Sequence, residues 1–303
     1  MENLAPARSA LSFGEFSFGR EEMNEVRDAL RGADVVYHLA ADATEGRSQF
    51  TPWRCTMDGL AASVQVFAAA AAVGVKRIVF TSSMAVYGDQ QPPFTEEMEP
   101  RPVDIYGVMK AGAERCLQIL AETHGFEYVI LRPHNVFGPR QRLEDPFRNV
   151  VGIFANRLMR GLPMVIYGDG GQERAFSYIG DVIGPIAEAG IRAEVANQVF
   201  NVGTDQQVTV RSLAELIACA MGMTGPAPVE HVPERPREVR RAWADNSLWW
   251  RTTGQEPPAA TPLGAGLSAT VAWARNLGPQ EPRYVDLEIS SEALPETWAM
   301  RSL

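Results

Sequence analysis

Apolar positions in this chain fall into short continuous runs, separated by longer stretches with helix-forming composition. Asp34-Val35-Val36-Tyr37-His38-Leu39-Ala40 and Lys76-Arg77-Ile78-Val79-Phe80-Thr81 are runs of the first kind, as are Tyr128-Val129-Ile130-Leu131 and Gln198-Val199-Phe200-Asn201-Val202. Runs this short and this apolar predict strands buried on both faces. After an irregular opening through about Gly19, helices are predicted over 21–30, closed by Gly32, over about 57–73, closed by Gly74, and over 105–124. Strand and helix alternate, which predicts an α/β fold with a doubly wound parallel sheet. Ligands of such sheets lie beyond the carboxyl ends of the strands, which directs attention to the residues just after Leu39, Phe80, Leu131 and Val202.

Two regions break the rhythm. The Pro- and Gly-marked connections over 138–178 and after Gly203 predict a smaller second lobe, and a last helix is predicted at about 267–275. The Pro- and acid-containing residues from Gly278 onward read as a tail that is mobile or draped on the surface.

Composition narrows the function classes. At 303 residues, 46% hydrophobic and 21% charged, the chain has the makeup of a globular protein with a sizeable core. A formal charge of −9 excludes a nucleic-acid surface that tracks phosphates, while a few local arginines can still hold a small anion. Cys55, Cys116 and Cys219 form no disulfide framework, and His38, His124, His134 and His231 lack the paired spacing of a metal site, so no metal is expected and a reducing cytoplasm fits. No apolar run is expected to cross a membrane; the Ala-rich stretch 68–73 reads as part of a buried helix.

Chemistry enters with Tyr106 and Lys110, four residues apart at the start of a predicted helix and therefore on one face. A phenol is a poor base near neutrality, but an adjacent ammonium lowers its pKa, so Tyr106 becomes a candidate acid/base group. The pair alone is also what a solvated helix face looks like. Context favours the chemical reading: Thr81-Ser82-Ser83 ends a predicted strand about twenty residues earlier, where a hydroxyl can meet that tyrosine.

The run Ser82-Ser83-Met84-Ala85-Val86-Tyr87-Gly88, followed by Tyr106-Gly107-Val108-Met109-Lys110, resembles the extended short-chain dehydrogenases, in particular NAD-dependent nucleotide-sugar epimerases and dehydratases. Further matches occur in order: His38-Leu39-Ala40-Ala41, Leu131-Arg132-Pro133-His134-Asn135-Val136-Phe137-Gly138, Arg148-Asn149-Val150-Val151, Ile166-Tyr167-Gly168-Asp169-Gly170, Arg174-Ala175-Phe176 and Phe200-Asn201-Val202-Gly203. The resemblance implies a Rossmann-like NAD-binding domain over 1–138 plus 176–203, a nucleotide-sugar lobe over 139–175 plus 204–277, and a tail over 278–303. It implies catalysis by Ser83, Tyr106 and Lys110, with NAD held by His38, Ala40, Ala41, Thr81, Tyr106, Lys110 and Pro133. It places Ser83, Asn135, Asn149, Ile166, Tyr167, Arg174 and Arg235 around a nucleotide sugar, such as a UDP-hexose. For Arg174 and Arg235 a surface ion pair is the competing reading, and for Asn135 a turn cap. The family's 4-epimerases pass hydride from the sugar to NAD and back through a keto-sugar. Its dehydratases resemble a pattern with Asp-Glu where this chain has Met84-Ala85, so epimerisation is favoured, with decarboxylation and reduction as alternatives. A homodimer through helices corresponding to 57–73 and 105–124 is also implied.

The family pattern is departed from at the beginning. Members open with a strand and a Gly-x-x-Gly-x-x-Gly turn that cradles the cofactor diphosphate, and no such triplet of glycines stands in these residues. Phe18-Gly19 lies near the place of the adenine-contacting Asp, and Thr56 stands for the family's Asn. The expectation is a start upstream of Met1 or a truncated copy; completion by another chain is a third account. Without the first strand, the Val35–Leu39 strand should present an open edge. If the gap is real, the alternative to an enzyme is a cofactor-free remnant that binds nucleotide sugar or a partner.

Overall fold

The computed structural model describes residues 22–43 and 45–303, so the opening through Gly19, the Phe18-Gly19 pair and the first residue of the helix predicted from Glu21 lie outside the described residues. The chain runs through α1 (Met23–Leu30), β1 (Val35–His38), α2 (Pro52–Cys55), a π-helical stretch (Thr56–Ala61), α3 (Ala62–Ala72) and β2 (Arg77–Thr81), then α4 (Ile105–His124) and β3 (Glu127–Pro133). The next elements are α5 (Val150–Met159), β4 (Met164–Tyr167), β5 (Glu173–Ala175), α6 (Ile179–Glu188), β6 (Gln198–Val202), β7 (Gln207–Thr209) and α7 (Val210–Ala220). Last come β8 (Val229–Val232), β9 (Arg241–Ala242), α8 (Ser247–Thr253), α9 (Leu263–Leu277) and α10 (Glu296–Ala299).

The parallel sheet predicted from the apolar runs is present, in the order β1-β2-β3-β6. Its faces separate by the pleat. Ile78, Phe80 and Ile130 pack with Val66, Phe67 and Leu117 from α3 and α4. Val79, Val129 and Phe200 pack on the opposite side with Val182 and Trp249 from α6 and α8. Both faces are therefore buried, each large apolar side chain contributing about 1.5–3 kcal/mol. Among the described residues β1 is an edge strand with β2 as its one sheet neighbour, and the Tyr37 hydroxyl on it donates to the Ala187 carbonyl at 2.6 Å.

Helix α4 has the bounds its sequence predicts because both ends are capped. The Asp104 side chain accepts from Gly107 N at 2.8 Å, and Gly125 closes the helix at φ 75°. The alanine-rich helix begins earlier than expected, at Pro52, whose fixed φ suits a first helical turn. The run Pro52–Ala72 is long and apolar enough to cross a membrane, contrary to the expectation for any run in the chain. Ala62, Val66, Phe67, Ala69 and Ala70 on it are buried against the sheet.

The second lobe is built on α5, α7 and α9, which bury Phe154, Leu213, Ile217 and Leu267 with Ile166 of β4. Strand β4 pairs parallel to β8, and β5 pairs antiparallel to β7 and parallel to β9. The residues after Gly278, expected to be mobile or draped, instead drive Trp298 and Leu303 into a buried cluster with Phe50, Phe147 and Val165. Their apolar content explains this: Tyr284, Val285, Leu287 and Leu294 pack around the same cluster.

Candidate active site

Strand β2 ends at Thr81, and the chain turns through Ser82 and Ser83 into a single 3-10 turn (Met84–Tyr87) that Ser83 caps by accepting from Ala85 N at 3.2 Å. The first turn of α4 lies directly against it. A β-carbon at Gly107 would stand 2.6 Å from the Ala85 carbonyl oxygen, so only glycine after Tyr106 permits the approach. Tyr106 is buried here. One turn on, Lys110 donates from Nζ to the Thr81 carbonyl at 2.7 Å and lies 4.7 Å over the Phe80 ring. The three residues predicted to act together do converge at the end of β2.

Their electrostatics differ from expectation. Burial raises the Tyr106 phenol above its ordinary value, a hydrogen bond with the Ser83 hydroxyl opposes it, and the negative charge of Glu45 adds to the rise. The sequence predicts that Lys110 pulls the phenol down. One N–H of its ammonium instead goes to the Thr81 carbonyl, with Nζ 5.9 Å from the Tyr106 ring centre, and burial lowers its own pKa to about 8 against the raising effect of Glu114.

Asp104 is a neighbour to which no sequence motif pointed. Burial and the charge of Glu45 raise it to about 7, although its bonds with the Gly107 and Tyr106 amides favour the anion. The helix dipole, at about 0.3–1 kcal/mol, is too weak to win. A carboxyl raised in the fold binds a proton that the unfolded chain has already released, so stability falls as pH rises from about 4 to 7. Asp104→Asn keeps the cap and removes that slope. Thermal unfolding should show the variant more stable at pH 8, by on the order of 2 kcal/mol, and equal to the parent near pH 4; equal stability at both values would refute the assignment.

Beyond the strand ends opens a cleft of about 380 Å³ between sheet and lobe. Of the predicted residues, Ser83, Tyr106, Pro133, Asn135, Asn149, Tyr167, Arg174 and Arg235 line it. Asn135 and Asn149 both adopt positive φ, at 40° and 52°, a conformation asparagine tolerates. Asn135 donates to the Ala175 carbonyl at 2.9 Å, tying β3 to the lobe, and Asn149 caps α5 while donating to the Val136 carbonyl at 2.6 Å. Arg174 and Arg235 share Glu238, at 3.2 and 2.7 Å, so the ion-pair and cleft readings hold together.

Six of the predicted residues do not line the cleft: His38, Ala40, Ala41, Thr81, Lys110 and Ile166. His38 is buried between Phe67 and Phe80 with Nε2 2.9 Å from the Ser63 hydroxyl, and burial lowers its pKa to about 4. Ile166 is buried in the lobe core, because alternation along β4 gives the cleft to Tyr167. Only their backbones could meet a ligand. Ala40 and Ala41 follow the end of β1, beside the Thr81 hydroxyl that donates to the His38 carbonyl at 3.3 Å. Among the described residues no cluster of His, Cys, Asp or Glu could hold a metal.

The site also has support that the sequence did not disclose. Glu114, one turn beyond Lys110, takes Arg132 of β3 in a two-pronged pair at 3.0 and 2.6 Å and also accepts from the Ser82 hydroxyl. Arg132 donates on to Tyr87 at 2.8 Å, and Tyr87 to Asn201 at 2.7 Å. The pattern along β3 offered no hint, since residues 129–132 are all buried and Arg132 follows directly on the apolar run. Glu45 and Trp298 also line the cleft and carried no sequence signal, and Arg148, which opens one of the matching motifs but was given no role, lines it too.

Residues 17–203 match the model of the NAD dependent epimerase/dehydratase family. The chain is 33% identical over 247 residues to UDP-glucose 4-epimerase of Mycolicibacterium smegmatis, covering 80% of this chain and 76% of that one. The fold is similar to the crystal structure of UDP-glucose 4-epimerase from Thermotoga maritima with UDP-glucose, with TM-score 0.78, 31% identity, and coverage of 88% of this chain and 84% of the other. It is also similar to Thermus thermophilus UDP-glucose 4-epimerase in complex with NAD, with TM-score 0.76, 30% identity and coverage of 90% and 93%.

Proposed function

We propose that this chain, which belongs to the NAD-dependent epimerase/dehydratase family, inverts the C4 carbinol of a nucleotide sugar, with a UDP-hexose as substrate. The observation that carries the reading is the meeting of Ser83 and Tyr106 in one arginine-lined cleft, with the Lys110 ammonium fixed at the end of β2.

The residues at the strand ends fit the nicotinamide half of NAD. Lys110 uses one donor on Thr81 and keeps two for ribose hydroxyls, while Ala40 and Ala41 leave room beside it. NAD held there would supply a reversible hydride acceptor for C4, which would leave the overall reaction redox neutral. The protein's part is positional and acid/base. Tyr106 takes the proton of the sugar 4-hydroxyl as its C–H bond breaks and returns it at the end. Ser83 fixes the direction of that hydroxyl, and its bond to Tyr106 favours the phenolate. Tyr106 is buried and Ser83 half-buried beside it, which limits water at the keto-sugar stage.

At the nucleotide end, Arg174 and Arg235 meet the diphosphate with forked donors, held in place by Glu238. Arg148 and Arg237 also line the cleft without an ion-pair partner among the described residues, which keeps positive charge in reserve for the phosphates. Met84 and Ala85 line the same cleft and carry no transferable proton, which supports epimerisation over dehydration. The test is incubation with UDP-glucose or UDP-glucuronate and chromatography of the products. Interconversion with a 4-epimer is expected, together with nicotinamide cofactor released on denaturation. Failure of both would overturn the reading. The same proposal pairs two copies through the helical run 52–72 and α4, where Val108 and Ile119 stay exposed. A purely monomeric mass in analytical ultracentrifugation would exclude that pairing.

A further inference from the structure

The residues after α9 touch both walls of the cleft. On the sheet side, the Glu288 carboxylate accepts the Trp53 and Arg54 amides of α2, each at 2.8 Å, and the Glu288 and Ile289 amides donate to the Phe50 carbonyl at 2.9 and 3.1 Å. On the lobe side, Asn156 of α5 exchanges two hydrogen bonds with the backbone of Gln280, both 2.8 Å, and Arg157 donates to the Ser302 carbonyl at 2.6 Å. Between these anchors lies α10. The Thr297 hydroxyl is 2.8 Å from the Tyr167 hydroxyl, and Trp298, only 4% exposed, stands edge-on to Phe147 and Phe50 with ring centres 5.2 and 5.9 Å away. The Trp298 ring also packs on the loop after β1, where a β-carbon on Gly46 would be 3.3 Å from it.

We propose that residues 279–303 are a strap that builds the nucleotide end of the cleft, with Thr297 and Trp298 as positioning residues for Tyr167. The inference rests on the reading of Tyr167 as a nucleotide contact. Tyr167 carries the Arg235 guanidinium 4.8 Å from its ring centre, and its carbonyl accepts from Gln172 at 2.6 Å. Its hydroxyl is engaged with Thr297, so what it presents to a ligand is ring surface. Ring surface beside a guanidinium suits a planar base joined to a phosphate. Trp298 fixes the distance between that ring and the loop at Gly46, because it fills the space between them and is packed on three sides. The strap thus acts on binding of the nucleotide.

The experiment uses the full chain and UDP as calorimetric probe, with kcat and KM for UDP-glucose measured alongside. Thr297→Val should weaken UDP binding and raise KM about three- to tenfold, the worth of one neutral hydrogen bond, with kcat within about twofold. Thr297→Ser should restore the parent values. Trp298→Ala should weaken UDP binding by roughly tenfold or more through the void it leaves, and Trp298→Phe should recover much of the loss. Tyr167→Ala separates the two readings. If it leaves UDP affinity unchanged, the nucleotide-end assignment itself fails. If it weakens UDP while Thr297→Val and Trp298→Ala do not, the strap inference fails alone. A fall in kcat with unchanged UDP affinity in the strap variants would also overturn it. Thr297→Val alters one half-buried contact and keeps the test decisive should Trp298→Ala not fold.

Discussion

Tyr106→Phe lowers kcat by about 10²–10⁴-fold and leaves nucleotide-sugar affinity and unfolding temperature close to those of the parent. The phenyl ring fills the same buried site at the start of α4, so packing is preserved and only the acid/base oxygen is lost. The effect is large because the other protonatable groups nearby are committed elsewhere. Asp104 holds the first turn of α4 through Gly107, and Lys110 is bound to the Thr81 carbonyl. Ser83 retains its hydroxyl in the variant, but an alcohol without a partner base cannot take the proton. The pH profile of the parent enzyme carries a second mark. Lys110, lowered by burial to about 8, loses its charge above that value, so kcat should fall on a basic limb near 8, well below an ordinary lysine. Steady-state kinetics across about pH 6–10 with calorimetric binding check both statements. A Tyr106→Phe enzyme with normal kcat and a raised KM would move the acid/base role to another group.

The sheet was legible because buried parallel strands are written as continuous apolar runs, and the strand Gln198–Val202 has the bounds its run predicted. Helix α4 has the bounds predicted for it, 105–124, and the structure supplies the reason in the caps at Asp104 and Gly125. The convergence of Ser83 and Tyr106 could be read from order: a serine at the end of a parallel strand and a tyrosine at the next helix start lie on the same side of the sheet. Burial was harder to foresee. His38 follows three apolar or aromatic residues on β1 and turns into the core, while Ile166 and Tyr167 are neighbours of which the pleat gives the cleft to one. Charge partners were not visible at all, because Glu114 meets Arg132 across 18 positions and Arg174 meets Glu238 across 64. The tail misled for a different reason. Its prolines and acids suggest a solvated segment, but Trp298 and Leu303 outweigh them once a lobe surface is there to receive them.

Glu114→Ala destabilises the fold by about 3–5 kcal/mol, the cost of stranding a buried guanidinium. Both members of the pair are almost fully enclosed, and Arg132 is held charged only because Glu114 offsets a burial that alone would lower its pKa. With the carboxylate gone, Arg132 keeps a single bond to the Tyr87 hydroxyl and Ser82 loses its acceptor. At roughly 2–4 °C per kcal/mol the unfolding temperature should drop on the order of 10 °C. Replacing both partners, as Glu114→Leu with Arg132→Met, removes the stranded charge and should cost far less than the single change. What the pair supplies is therefore mainly placement: it fastens α4 to β3 and to the turn that presents Ser83, one helical turn beyond Lys110. Glu114 also raises the Lys110 pKa by its negative charge, so in the folded double variant the basic limb of kcat should move below about 8. Calorimetric unfolding of the single and double variants, with a pH profile of the double, measures both effects. A single variant as stable as the double would show that stranding the guanidinium carries no cost, and a limb that stays in place would show that the pair does not reach Lys110.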